Sequence, residues 1–165
     1  MAELVTSVEP TLTWDVQTPH AVMVSDDFAR TVLALNPHPD DADRRAVVLI
    51  WEGVRYSSMG RPGEDAVAGH HLYELGLRDL RGLGEVTGSE LIARLDRADS
   101  SHPFHEPEWY ADMRHHVLSL KESTVEVVAA TLSVVRVAGS TAHAATRAES
   151  EAEPDHIGPV DVDAQ

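Results

Sequence analysis

The runs "HHVLSL" (115–120) and "TVEVVAATLSVV" (124–135) constrain the chain most, because only Lys121-Glu122-Ser123 separates them. Both are rich in β-branched residues, and so short a connection cannot carry a parallel crossover. The two must therefore be antiparallel neighbours in a sheet. "HAVMV" (20–24), "ARTVLAL" (29–35), "AVVLIW" (46–51) and "VRYSSM" (54–59) have the same strand character and are parted by turn-forming clusters. Glu52-Gly53, between the last two, reads as a turn or a bulge.

Helical patterns occupy two places. In "TGSELIARLDRADS", Thr87 and Glu90 stand at capping-box spacing, and Leu91, Ile92, Leu95 and Ala98 make an apolar stripe that leaves Arg94 and Arg97 facing water. "GEDAVAGHHLYELG" brings Ala68, His71, Leu72 and Leu75 onto one face and stops at Gly76. A short helix is expected from Pro107 through "EWYADMR". Strands and helices without strict alternation predict a single α+β domain over residues 1–137, a curved antiparallel sheet with two main helices, with 1–18 only loosely ordered. From Ala138 the sequence has no aromatic residue and one Arg against six acids, so 138–165 is expected to be a disordered acidic tail.

Charge and composition narrow the function classes. With 28 acids against 13 basic residues the formal charge is −15, which opposes binding to nucleic-acid phosphates or anionic lipid. No apolar run approaches the roughly 20 residues of a membrane span, and the acidic, interrupted N-terminus is unlike a secretory signal. A cytoplasmic protein is expected. The absence of cysteine removes disulfides, thiolate ligands and a cysteine nucleophile. Gly82, Gly84 and Gly88 miss the dinucleotide-binding spacing, Lys121 is the only lysine, and there is no Gly-x-Ser-x-Gly elbow.

What remains is histidine, ten of them, with four in "SSHPFHEPEWYADMRHHVLSL" (100–120). Imidazole is the commonest protein metal ligand and titrates near neutrality. His102 and His105 have H-x-x-H spacing, although Pro103 favours a loop there. His115 and His116 are adjacent on a strand and must face opposite ways, His116 with Leu118 and Leu120, His115 with Val117 and Ser119. On the apolar face of its helix, His71 is the recruit already pointing inward. A metal site would take His102, His105, one of the later pair and a carboxylate such as Glu106 or Glu126.

"TVLALNPHPDDADRR" (31–45) resembles the strand followed by His-Pro-Asp-Asp-Glu of the zinc-dependent N-acetylglucosaminyl de-N-acetylases, although Ala42 stands where that motif has Glu. The resemblance implies His38 and Asp41 as metal ligands and Asp40 as general base, with a third ligand from His102 or His105. It covers some ten residues, and that family uses a larger Rossmann-like domain. The same residues read as a turn-rich loop between two strands.

Two functions are therefore carried forward. One is a small binding or accessory protein acting on a small molecule or protein partner through a pocket or interface formed by His71, His102, His105, Glu106, Trp109 and His115. The other is a metal-dependent, zinc-type hydrolase drawing on His102, His105, His38, Asp41 and His116. An acid–base switch built on the clustered imidazoles is a further reading. Self-association to a homodimer through an exposed sheet edge is open to either.

Overall fold

A computed structural model describes residues 2–8, 12–27, 29–106 and 108–151. The expected α+β architecture is present, with its antiparallel strands divided between two sheets. One sheet has the order β2 (Val22–Ser25), β3 (Arg30–Leu35), β4 (Ala46–Glu52), β9 (Thr131–Val137). The other has the order β1 (Leu4–Ser7), β6 (Leu83–Thr87), β7 (Arg114–Ser119), β8 (Thr124–Ala129), β5 (Tyr56–Gly60). The β7–β8 pair is the hairpin that the three-residue connection demanded.

Strand alternation places Leu33, Leu35, Val47, Leu49 and Trp51 of the first sheet against Leu83, Leu118, Val125, Val127 and Ala129 of the second, with Trp14 closing the same core. The run "TVEVVAATLSVV" is not one strand. It breaks at Ala130, whose N–H donates to the Glu52 carbonyl, and the chain crosses from one sheet to the other. Gly53 makes that crossing feasible: its φ of 65° needs glycine, and a Cβ there would lie 2.9 Å from the Ala130 Cβ.

Both outer faces are also covered. Val32, Ala34, Val48 and Ile50 lie under α3 (Thr141–Ser150), which contributes Ala144, Ala145 and Ala148. This corrects the expected disordered tail over 141–150, where small side chains let a helix lie close on a valine-rich sheet; residues 152–165 lie outside those described. On the other sheet, Val5, Val86 and Val117 pack against Leu72 and Leu77. Leu4–Ser7 and Trp14 are likewise better anchored than the loose order expected for 1–18, since β1 pairs with β6 and Trp14 is buried.

Helix α1 (Glu90–Asp99) is as predicted, but its N-cap is Ser89, not Thr87, which ends β6. Gly88, at φ 64°, turns the chain between them. The second expected helix is instead two 3₁₀ turns, Glu64–Gly69 and Tyr73–Leu75, broken by extended backbone at His70. The short α2 (Glu108–Ala111) is present, with Pro107 outside the described residues. No helix among the described residues is long and apolar enough to cross a membrane.

Candidate metal centre

Glu126 is the one charged residue in β8, on the outer face of its sheet, where its side chain is largely covered. A carboxylate in that position must find donors, and three histidines supply them. His70 Nε2 lies 3.3 Å from Oε1 and His115 Nε2 lies 3.0 Å from Oε2, while His71 Nε2 is 3.9 Å from Oε2. His115 comes from the neighbouring strand, diagonally across the β7–β8 ladder, where Val117 is the direct partner of Glu126. His70 and His71 come from the break between the 3₁₀ turns and stack with ring centroids 4.5 Å apart.

The hydrogen-bond roles follow from the acceptor. An ionised carboxylate only accepts, so His115 carries its proton on Nε2, and its Nδ1 accepts from the Ser89 hydroxyl at 2.9 Å. Ser89 Oγ in turn accepts from the Ile92 N–H at 3.2 Å, which starts α1. His70 Nδ1 accepts from the Leu72 N–H, leaving Nε2–H directed at Glu126. Burial alone would raise the Glu126 carboxyl, but hydrogen bonds from His115 and His70 outweigh it and hold the group well below the usual carboxylate range.

His70, His71 and Glu126 are the one group of three His or carboxylate residues among those described whose donor atoms all lie within 4.8 Å of one another. Tetrahedral zinc with bonds near 2.0–2.1 Å wants donors about 3.3 Å apart; His70 and Glu126 stand at that spacing, and His71 would have to close in from 3.9 Å. His71, exposed where its neighbour is covered, sits at the mouth of a cleft of about 590 Å³ between α1 and the sheet. Tyr56, Glu90, Arg94, Arg97 and Glu126 also line the cleft.

Of the residues singled out from sequence, the structure brings His71 and His115 to Glu126 and disperses the rest. His105 Nε2 faces Asp96 of α1 at 2.9 Å. Glu106 accepts the Trp109 indole N–H at 3.1 Å, and the Arg55 guanidinium lies over the Trp109 ring. His102, on an exposed turn, uses Nδ1 to accept the Phe104 N–H. On the opposite face of β7, His116 accepts the Trp51 indole N–H at 3.2 Å; burial, then the charges of Arg114 and His115, push its imidazole down to about 4. His38 Nδ1 accepts the Asp40 N–H, and Asp41 pairs with Arg136 of β9 at 2.9 Å. No three of His102, His105, His38, Asp41 and His116 come together among the described residues.

His70, the ligand candidate that helical periodicity passed over, is the most covered of the doublet because the segment is not α-helical: extended backbone at His70 ends one 3₁₀ turn and reorients the pair. The available signal was a histidine doublet together with a lone carboxylate in an apolar strand. The chain matches no protein-family model, no curated protein and no solved structure, so the site stands on its own geometry.

Proposed function

We propose that the protein binds a divalent metal ion of the zinc type through His70, His71 and Glu126, and uses it on a small molecule held in the α1 cleft, with hydrolysis as the reaction class. The observation that carries this is the convergence of three ligand atoms beside an open cleft. Three protein ligands leave a coordination position for water, whose pKa such an ion lowers toward neutrality. Held by His70, His71 and Glu126, such an ion would supply a Lewis acid and an activated water for hydrolysis at a carbonyl or phosphoryl centre. His115 holds the Glu126 carboxylate from behind and is itself held by Ser89, the kind of support that orients ligating carboxylates. Binding at His70 Nε2 requires its proton to leave that nitrogen, and a move to Nδ1 gives up the hydrogen bond accepted there from the Leu72 N–H.

Zinc titration by calorimetry on untagged, chelator-treated protein tests this. One ion per chain is expected, with affinity reduced at least tenfold by Glu126→Gln and by His70→Ala, while His102→Ala and His105→Ala leave it unchanged. Protein that takes up no zinc, or whose uptake follows His102 and His105 instead, refutes the assignment and returns the cleft to a metal-free binding role.

A further inference from the structure

Six of the twelve arginines of this chain are neutralised in place by carboxylates. Arg30 meets Glu52, Arg45 meets Asp43, Arg78 meets Glu74 and Asp79, Arg114 meets Glu85, Arg136 meets Asp41, and Arg147 meets Glu151. Of the six that form no ion pair among the described residues, Arg94 and Arg97 are the two that line the cleft. Neither guanidinium has an ion pair or hydrogen bond among the described residues, in a chain with 28 acids to choose from. They stand three residues apart on α1, on one side of the helix, and both line the cleft that holds His71 and Glu126. Helix formation alone does not direct two free guanidiniums into the same cavity as a His/His/Glu cluster.

Charge explains what such a pair can do. A net charge of −15 repels anions over most of the surface, and Glu3, Glu90 and Glu126 also line this cleft, so a small anion binds there only through direct contact with the two guanidiniums. Guanidinium is suited to this, because its planar fork of donors matches the oxygens of phosphate or carboxylate. We propose that Arg94 and Arg97 are the anion subsite of the cleft: they hold the phosphate or carboxylate group of the small molecule on which a cation at His70, His71 and Glu126 acts. The role in reaction rests on the metal reading above; the anion subsite itself does not.

The test titrates inorganic phosphate, and separately acetate, into chelator-treated and zinc-loaded protein at fixed ionic strength. Zinc affinity is measured beforehand in phosphate-free buffer. Arg94→Ala/Arg97→Ala is expected to bind zinc within about twofold of the parent and to lose at least tenfold in affinity for the oxyanion. Arg61→Ala/Arg81→Ala, with a matched charge loss outside the cleft, should leave both unchanged. Both arginines are exposed, so circular dichroism should show the fold retained. Equal oxyanion binding by parent and Arg94→Ala/Arg97→Ala, or none by the parent, overturns the subsite. Failure to bind zinc while arginine-dependent oxyanion binding persists overturns the metal reading alone.

Discussion

Lowering the pH from 7 to 5 should destabilise the protein through His116, whose ring lies between the two sheets and accepts the Trp51 indole N–H. The folded imidazole titrates at about 4 against 6.5 when unfolded. Below 6.5 the unfolded chain therefore takes up a proton that the folded chain refuses, and the stability this group contributes is complete above that value and lost as pH falls through 4. The limiting slope is about 1.4 kcal/mol per pH unit, and the loss between pH 7 and 5 comes to about 2 kcal/mol. Against the usual 5–15 kcal/mol of a domain that is a large fraction. The depressed Glu126 carboxyl adds its own loss only as pH falls through its unfolded value of 4.5 and below, under this window. Urea unfolding followed by tryptophan fluorescence at half-unit pH steps gives the slope. His116→Asn keeps an acceptor for Trp51 and removes the titration, and its curve should be flatter by the same 2 kcal/mol. Parallel curves for parent and variant would refute the assignment of this slope to His116.

Ser89→Ala removes the α1 cap and orphans the His115 Nδ1, so a loss of about 2–3 kcal/mol in urea unfolding is expected, the cap contributing about 1 of it; a loss under about 0.5 kcal/mol would show that neither bond matters. Ala145→Asp places an unpaired charge beneath α3 and should cost about 3–5 kcal/mol, whereas Ala142→Asp on the exposed side should be near neutral. Two equally harmless variants would mean that the helix does not dock.

The β-strands were readable because their physics is local. The three residues at 121–123 permit only an antiparallel partner, and that pair is β7–β8. "AVVLIW" carried more information than a strand assignment uses: a run apolar on both sides needs cover on both faces. Its inner face meets the second sheet and its outer face meets α3. That helix gives little periodic signal because its buried stripe is Thr141 and three alanines, too weakly apolar to stand out amid acids and serines. The break at Ala130 gives none, since the residues on either side are equally strand-forming and the crossing is set by Gly53 and Glu52 far away in sequence.

The candidate site was legible as residue types and not as a constellation. Strand alternation separated His115 from His116 correctly, yet both are buried, because each face of β7 has its own cover. His71 was selected by a 3.6-residue period that the 3₁₀ turns do not follow, and the same error hid His70. Glu126 had the clearest physical signature, for an isolated carboxylate in "TVEVV" has to be paired or neutralised. Packing alone does not call for such a network, since burying a charged cluster generally gains no more than packing apolar groups of the same volume. Val125 and Val127 on either side show what this strand does when only packing is asked of it. The carboxylate lines a cleft together with His71, Arg94 and Arg97 and meets His70 and His115 beside it, and the ligand-site proposal rests on that placement.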